Sequence, residues 1–253
     1  MSRRRDQERA PVPLLVLAWL GIGLFAIPLL GLIWRVSWRE LPALLSSDVV
    51  TDALGISLVA SLTATALALV LGFPLAWLLA NRDFPGRRLV RGLVLLPLVL
   101  PPVVGGAALL FALGRRGMVG EPLYQATGLI LPFSIWGVIL ATTFVAMPFL
   151  VITVEGALRN LDRRYEGAAS SLGASRWTVL RRVTIPMIGP SLVAGMVLTW
   201  ARAFGEFGAT ITFAGNLQGR TQTLPLAVFV ALESDREVAV AISLLMVAVS
   251  LAV

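Results

Sequence analysis

Long stretches without a charged residue set the strongest limit on how this chain can fold. Of its 253 residues, 57% are hydrophobic and 14% are charged, whereas an average soluble domain is about 45–50% apolar and about 25% charged. A helix needs roughly 20 predominantly apolar residues to cross a bilayer. The charge-free stretches cover residues 10–34, 53–81, 92–114, 122–154, 183–201 and 238–253. The sequence therefore predicts an all-α polytopic membrane protein, with one transmembrane domain over residues 1–253.

Six transmembrane helices are predicted from these stretches. They lie near residues 12–35, 53–80, 90–113, 128–155, 189–213 and 237–253. The first stretch is too long for the apolar region of a signal peptide, and no small-residue cleavage site follows it, so we interpret it as an uncleaved span. The last stretch holds 16 residues from Val238, which is short for a span, and truncation within the sixth helix is one interpretation of its length.

The distribution of arginine predicts the orientation in the membrane. The chain has no lysine, so all 21 of its basic residues are arginines. With the amino terminus inside, 14 arginines fall in cytoplasmic segments and six in external segments, while Arg202 lies within a span. Cytoplasmic loops carry an excess of basic residues, so both termini and the loop at about 156–188 are predicted to be cytoplasmic. Because the arginines lie between apolar spans rather than on one face, nucleic-acid binding is not predicted.

Three residue types are missing, and their absence limits the possible chemistry. The sequence contains no Lys, His or Cys. Without lysine there is no Walker A loop and no Schiff-base residue. Without His or Cys, the usual zinc sites, Ser-His-Asp triads and Cys nucleophiles are excluded. We therefore predict that the chain is not an enzyme and holds no metal or cofactor, and that any ATP hydrolysis belongs to a separate subunit.

The longest predicted cytoplasmic loop contains the polar stretch RRYEGAASSLGASRWTVLRRVTIP. Asp162 can cap a short helix over residues 163–172, and Gly173 can end that helix. Ser175 can cap a second helix, which is expected to end before Pro186. The small side chains of the first helix allow a partner to approach its backbone closely. From this pattern alone, docking to a partner and an amphipathic helix lying on lipid headgroups are equally good interpretations.

Part of this stretch, EGAASSLGAS followed by IP, resembles the EAA loop of ABC-transporter permeases. The resemblance places the coupling contact on six residues: Glu166, Gly167, Ala168, Ala169, Leu172 and Gly173. Glu166 lies one position earlier than the family's acidic residue, and the closing TIP is one residue shorter than the family's pattern. In that family the loop forms a coupling helix that enters a groove of the cytoplasmic ATPase subunit. The resemblance therefore implies a separate motor.

A second resemblance concerns the transported substrate. The segment LTWARAFGEFGATITFAGNLQGRTQTLPLAVF, residues 198–229, resembles the membrane subunit of molybdate transporters, and sulfate permeases share its GEFGA core. The segment LPLVLPPVVGG, residues 96–106, looks like the third span of the same family. This implies a fold like that of a type I ABC importer permease. It also implies the pore-forming subunit of an ATP-driven importer of a tetrahedral oxyanion, with molybdate favoured and tungstate or sulfate as alternatives.

The resemblance also implies the partners and the location. The expected assembly is a homodimer of this chain with two ATPase subunits, which bind ATP and Mg²⁺, and an extracytoplasmic oxyanion-binding protein that selects the anion. The expected location is the plasma (inner) membrane of a bacterium or archaeon, where lipid surrounds the spans.

The fifth predicted span carries a polar pattern that predicts a translocation pathway or gate. Thr199, Arg202, Glu206 and Thr210 are spaced three, four and four residues apart, so on a continuous helix they share one face. Charged residues within a span are costly, and they normally face the interior of a helix bundle or a watery cavity. A buried ion pair that holds the helices in register is the alternative interpretation.

Glycines and prolines in this region predict irregular helices. Gly205 and Gly208 allow close helix contact, a local break or simple packing. Pro101 and Pro102 lack two backbone donors in the third predicted span, and a broken helix is tolerated only where protein or a cavity satisfies the freed groups. We expect this break to lie beside the fifth span and to line the pathway, with an incidental kink as the alternative.

Two other classes of function remain alternatives to an ABC permease. An ion-coupled secondary transporter would use Arg202 and Glu206, and would be expected to show more acidic residues within its spans and detectable repeats. A structural membrane scaffold would be expected to lack both a charged stripe and broken spans. Copurification with a P-loop protein would separate the ABC permease from both alternatives.

Overall fold

A computed structural model describes residues 11–252, and these residues are helical, with no strand among them. They form fourteen α-helices, in two cases joined through a π-helical turn. The helices are α1 (Val12–Trp34), α2 (Leu41–Leu45), α3 (Asp48–Leu67), α4 (Phe73–Asn81), α5 (Arg87–Val99), α6 (Pro102–Leu113), α7 (Gly120–Thr127), α8 (Ile135–Asn160), α9 (Arg163–Ser171), α10 (Arg176–Val179), α11 (Ile185–Phe204), α12 (Gly208–Phe213), α13 (Leu224–Ser234) and α14 (Arg236–Leu251). Four of the predicted cytoplasmic arginines, Arg3, Arg4, Arg5 and Arg9, lie outside the described residues.

Four helical stretches are long and apolar enough to cross a membrane. They are Val12–Trp34, Asp48–Asn81, Ile135–Asn160 and Arg176–Phe204. The first two agree with the predicted spans near 12–35 and 53–80. The third begins later than the predicted start at 128, because Ser134 adopts an extended conformation and its side chain accepts a hydrogen bond from the Gly137 N–H at 3.3 Å. That bond satisfies one of the donors left free at a helix start.

The predicted span over 90–113 is two helices rather than one. α5 ends at Val99, α6 begins at Pro102, and Leu100 and Pro101 between them are extended or close to extended. Pro101 and Pro102 have no N–H to donate, and the residue before a proline is biased away from the helical conformation. The broken helix expected from the Pro-Pro pair is therefore present.

The predicted span over 189–213 was wrong in its boundaries, whereas the one over 237–253 agrees with α14. The first is interrupted, because α11 ends at Phe204 and α12 begins at Gly208. Before the second, an additional helix, α13, occupies a segment that was expected to be a loop. Its 11 residues are too few for a span-length hydrophobic signal.

Two of the prolines that lie inside long helical stretches follow a π-turn. The π-turn Ala68–Gly72 precedes Pro74, and the π-turn Leu180–Thr184 precedes Pro186. A proline ring normally collides with the carbonyl four residues earlier, and the wider π-turn displaces that carbonyl. The prediction that the second cytoplasmic helix ends before Pro186 was therefore wrong. The helix that begins at Arg176 continues to Phe204.

α8 lies at the centre of the bundle and packs against α3, α4 and α11. Its side chains Leu150, Val151 and Val154 form a buried cluster with Leu79 of α4 and Ile188 of α11. In contrast, every described residue of α1 is at least partly exposed. The core is therefore built by the middle of the chain, and α1 lies on its outside.

Candidate translocation and coupling sites

The interruption between α11 and α12 contains a buried ion pair. Glu206 is 1% exposed, and its Oε2 lies 2.5 Å from Nη2 of Arg202, one turn earlier on α11. Its Oε1 accepts a hydrogen bond from the Ala209 N–H at 2.7 Å. Both carboxylate oxygens of Glu206 are thus occupied, one by a side chain of α11 and the other by the backbone of α12.

This arrangement holds α11 and α12 together across the interruption between them. A carboxylate is favourable near a helix start, because the first N–H groups of a helix are unpaired and carry partial positive charge. A buried carboxylate without partners would be strongly unfavourable. Arg202 and the Ala209 N–H together remove that cost. Glu206 therefore fixes where α12 begins relative to the end of α11.

The four residues predicted to share one helical face do not do so, because Thr210 lies on α12 beyond the interruption. Thr199 is buried, and its hydroxyl donates to the Gly195 carbonyl at 2.8 Å within α11. Thr210 is also buried, and its Oγ1 has no hydrogen-bond partner among residues 11–252. The structure thus brings Arg202 and Glu206 together and leaves each threonine in its own surroundings.

α6 packs directly against α12, so the two interrupted helices are neighbours. A Cβ added at Gly208 would lie 2.8 Å from Cβ of Pro102, and one added at Gly106 would lie 2.7 Å from the Ala209 carbonyl oxygen. Both distances are too short for a real contact, so glycine is required at these two positions. Gly205 differs, since a Cβ there would meet only the Ala201 oxygen at 3.6 Å, which is an ordinary contact.

Helices α9 and α10, joined by a turn at Gly173, form an elbow as the local sequence predicts. Asp162 accepts a hydrogen bond from the Arg164 N–H at 3.0 Å, and Ser175 accepts one from the Thr178 N–H at 3.2 Å. Gly173 has a φ of 83°, in the left-handed region. Because α9 ends at Ser171, Leu172 belongs to the turn rather than to the helix. The capping side chains of Asp162 and Ser175 and the left-handed backbone of Gly173 therefore determine the shape of the elbow.

The elbow presents large apolar side chains to its surroundings. Every residue of α9 is at least partly exposed, and a Cβ at Gly167 would meet nothing within 4 Å. Leu172 is 90% exposed, Trp177 is 64% exposed and Tyr165 is 57% exposed. Exposed apolar groups collected on one short segment are typical of an interaction surface. Ala168 is exposed and Ala169 is partly exposed on the same helix.

Glu166 connects α9 to another helix of the protein. Its Oε1 accepts a hydrogen bond from Oγ1 of Thr184 at 2.6 Å. Thr184 is buried and ends the π-turn that continues into α11. Glu166 therefore connects α9 to the helix that carries Arg202.

Two features of the structure were missed or misread in the sequence. Glu155, buried near the end of α8, pairs with Arg91 of α5 and with Arg159 at 2.9 Å. Its position four residues before Arg159, at the end of a charge-free stretch, is a signal that could have identified it. A tryptophan in an apolar stretch ordinarily indicates the membrane interface, but Trp200 is buried and stacks on Phe204 with 5.1 Å between the ring centroids.

These observations together define a multi-pass helical membrane protein with two interrupted helices and an exposed elbow. Residues 68–253 match the family of binding-protein-dependent transport system inner membrane components, and the chain belongs to that family. Family members are non-catalytic membrane subunits, as the missing catalytic residue types predict. Membership also places the chain among ABC permeases rather than among ion-coupled secondary transporters or scaffolds.

Individual relatives agree with this assignment. The chain is 47% identical over 230 residues to the molybdenum transport system permease protein ModB of Mycobacterium tuberculosis, covering 91% of this chain and 87% of the relative. It is 35% identical over 229 residues to the sulfate transport system permease protein CysT of Escherichia coli, covering 89% and 82%.

A solved structure has the same fold. The crystal structure of a bacterial alginate ABC transporter, in complex with a periplasmic protein bound to alginate pentasaccharide, matches with a TM-score of 0.69 at 20% identity, covering 94% of this chain and 88% of that one. The predicted fold class, an all-α membrane protein like the permease of a type I ABC importer, is confirmed.

Proposed function

We propose that this chain is the pore-forming subunit of an ATP-driven importer of a tetrahedral oxyanion, and that the oxyanion is molybdate. The greater identity to a molybdenum permease, 47% against 35% for a sulfate permease, supports molybdate over sulfate, and tungstate has the same charge and shape as molybdate. Selection among these anions is assigned to an external binding protein. The plasma membrane of a bacterium or archaeon is the proposed location.

The observation that carries this proposal is the neutral pair at the α11–α12 interruption. An unpaired arginine in a poorly solvated path would hold a dianion strongly, because Coulomb attraction increases as the dielectric constant falls. Glu206 offsets the charge of Arg202, so a passing dianion is attracted without being trapped. Pro101, Pro102, Gly205 and the two threonines complete the proposed pathway around this pair.

The ATPase subunit is proposed to act on the elbow. A separate ATPase subunit binds ATP and Mg²⁺ and receives α9 in a groove, with two ATPase copies serving a homodimer of this chain. The exposure of α9 and of Leu172 supports docking at this point. The hydrogen bond from Thr184 to Glu166 supports transmission, since it links α9 to a helix that continues as far as Arg202. Movement of the elbow would thereby reach the pathway.

The proposed pathway is tested with charge-neutralising variants. We expect Glu206→Gln to reduce molybdate uptake, because it leaves Arg202 without its charged partner. The expected reduction is about tenfold or more, which corresponds to the loss of one charge-assisted hydrogen bond. The glutamine still accepts from Ala209, so assembly should persist. The double variant Arg202→Gln/Glu206→Gln should recover part of the uptake.

Uptake is measured in proteoliposomes that contain this chain and the ATPase subunit. The binding protein is placed on the side of the vesicle membrane that corresponds to the cell exterior. Assembly is measured by gel filtration. Glu233→Gln, an exposed carboxylate on α13, is the matched control. Loss of assembly in Glu206→Gln, without a separate transport defect, would show that the pair is structural only.

The proposed coupling is tested on the elbow. We expect Ala169→Leu and Gly173→Val to abolish substrate-stimulated ATP hydrolysis while the protein still inserts and dimerises. The leucine obstructs docking by its bulk, and valine resists the left-handed turn. Gly128 has a φ of 72° at the end of α7 and the same open surroundings as Gly173. Gly128→Val therefore controls for the cost of a strained turn, and normal coupling in both elbow variants would contradict the proposal.

A further inference from the structure

Four arginines line a cavity of about 550 Å³ that the proposed pathway and elbow do not use. The cavity lies where the loop after α4, the first turns of α5 and the last part of α8 meet. Its arginines are Arg87, Arg88, Arg91 and Arg159. Guanidinium groups are normally either solvated or paired when they gather at one place, so their partners decide what the cavity can bind.

The carboxylates at this place do not balance the arginines. Arg91 and Arg159 both pair with the same oxygen of Glu155. Arg87 pairs with Asp83, whose side chain is 95% exposed to solvent, so water screens much of that negative charge. Arg88 makes no side-chain hydrogen bond or ion pair within residues 11–252. Because each guanidinium has five N–H donors, several donors around the cavity remain unused.

The backbone adds to the positive potential. α5 starts after Gly86, which has a φ of 85°, and within the described residues no side chain caps this start and no acidic residue lies in its first turn. Helix starts carry partial positive charge and favour acidic residues. Here Arg87 and Arg88 occupy the first turn instead, and both line the cavity. This unfavourable arrangement becomes favourable when an anion occupies the cavity.

We propose that the cavity binds a tetrahedral oxyanion group, held by Arg88 and by the free donors of Arg91 and Arg159. Planar guanidinium groups suit such a group because they can donate two parallel hydrogen bonds to its oxygens. Two sources share this chemistry. One is the headgroup phosphate of an anionic lipid, and the other is a free oxyanion such as molybdate or phosphate. On the orientation proposed above, the cavity faces the cytoplasmic side, where both are present.

Binding is measured on the complex of this chain with its ATPase subunit, without transport, so that the result is independent of the proposed substrate. In the lipid arm, spin-labelled phosphatidylglycerol is added to the delipidated complex, and the motionally restricted fraction is compared with that of spin-labelled phosphatidylcholine. In the free-anion arm, equilibrium dialysis measures the binding of radiolabelled molybdate and inorganic phosphate to the lipid-free complex.

Arg88→Gln is the informative variant, because Arg88 is exposed and has no partner to leave buried. We expect it to weaken binding about tenfold, the effect of one charge-assisted hydrogen bond. Arg88→Lys retains the charge and should retain most of the binding, which separates loss of charge from misfolding. Arg82→Gln is the matched control, since Arg82 is exposed in the same loop and does not line this cavity.

The two arms identify the source. Loss confined to phosphatidylglycerol identifies a lipid site, and loss confined to molybdate or phosphate identifies a free-anion site. The proposal is overturned if the unmodified complex binds neither, or if Arg88→Gln has no larger effect than Arg82→Gln. In those cases the arginines serve only to orient the protein in the membrane.

Discussion

Replacing Gly106 by alanine tests the close packing between the two interrupted helices. An alanine Cβ at this position would lie 2.7 Å from the Ala209 carbonyl oxygen, 2.8 Å from Cβ of Thr212 and 2.9 Å from Cα of Ala209. Two of these atoms belong to the backbone of α12, so no side-chain rotation can relieve the overlap. Restoring a contact of 3.4 Å to the oxygen requires α6 and α12 to separate by about 0.7 Å, the difference of the two distances.

The adjacent Gly105 provides the reference for the magnitude. A Cβ there would lie 3.1 Å from Cε1 of Phe144, and the phenyl ring can move by the few tenths of an ångström required. Both glycines lie inside α6, so both alanine variants gain about 1 kcal/mol of helix propensity. This gain cancels in the comparison. The remaining cost of overpacking at Gly106 is about 1–3 kcal/mol, which corresponds to roughly 2–12 °C in melting temperature for a chain of this size.

Thermal unfolding of the two variants in detergent, followed by tryptophan fluorescence, measures this difference. Gly106→Ala should melt below Gly105→Ala, and molybdate uptake should fall in the same order, because the displaced α12 carries the Ala209 N–H that Glu206 binds. Equal melting temperatures, or a less stable Gly105→Ala, would refute the inference that α6 and α12 are in backbone contact.

Two further predictions concern an acidic cluster at Glu40 and the orientation in the membrane. The Glu237 carboxylate, and to a smaller extent Asp235, raises the pKa of Glu40 above its ordinary value of 4.5. A carboxyl group whose pKa is raised by folding stabilises the folded state below pH 4.5. This contribution is lost as the pH rises through the folded-state pKa. As the pH falls from 7 toward 4.5, the melting temperature of the unmodified protein should therefore increase relative to that of Glu40→Gln. An identical pH dependence in the two proteins would show that the cluster has no effect. The orientation is tested with single cysteines at Ser171 and Gln218 and an impermeant maleimide added outside intact cells. We expect position 218 to be labelled and position 171 to be protected. The reverse result would invert the proposed topology.

The sequence predicts the features that the bilayer or a short local motif imposes. The apolar stretches near 12–35 and 53–80 become long helices, since an apolar segment in lipid must satisfy its backbone hydrogen bonds internally. The elbow is predictable for a different reason. Asp162, Gly173 and Ser175 act on donors and acceptors within three to five residues of themselves, so neighbouring sequence contains all the necessary information.

Features that depend on contacts between distant helices were not predictable in the same way. The position of Glu155 in the chain is visible, but its partner Arg91 is 64 residues away. Pro186 normally signals the end of a helix, and only the π-turn before it allows the helix to continue. At Gly205 and Gly208 the sequence allowed both a break and close packing. The close packing at Gly208 depends on α6, because Gly208 lies against Pro102.

The two interruptions that meet at Pro102 and Gly208 solve the same backbone problem in different ways. A broken helix within a membrane leaves N–H groups that lipid cannot satisfy. Between α5 and α6, Pro101 and Pro102 have no N–H groups, so two of these donors are absent. Between α11 and α12 the donors remain, and Glu206 supplies an acceptor for one of them. Only the second solution introduces a charge, which Arg202 then has to balance. The proline break can therefore be maintained by sterics alone, whereas the break at Glu206 depends on an ion pair. If the proposed pathway is correct, a passing anion competes with Glu206 for Arg202. The proposed pathway therefore predicts that substrate influences the arrangement of the helices at the α11–α12 interruption rather than at the proline break.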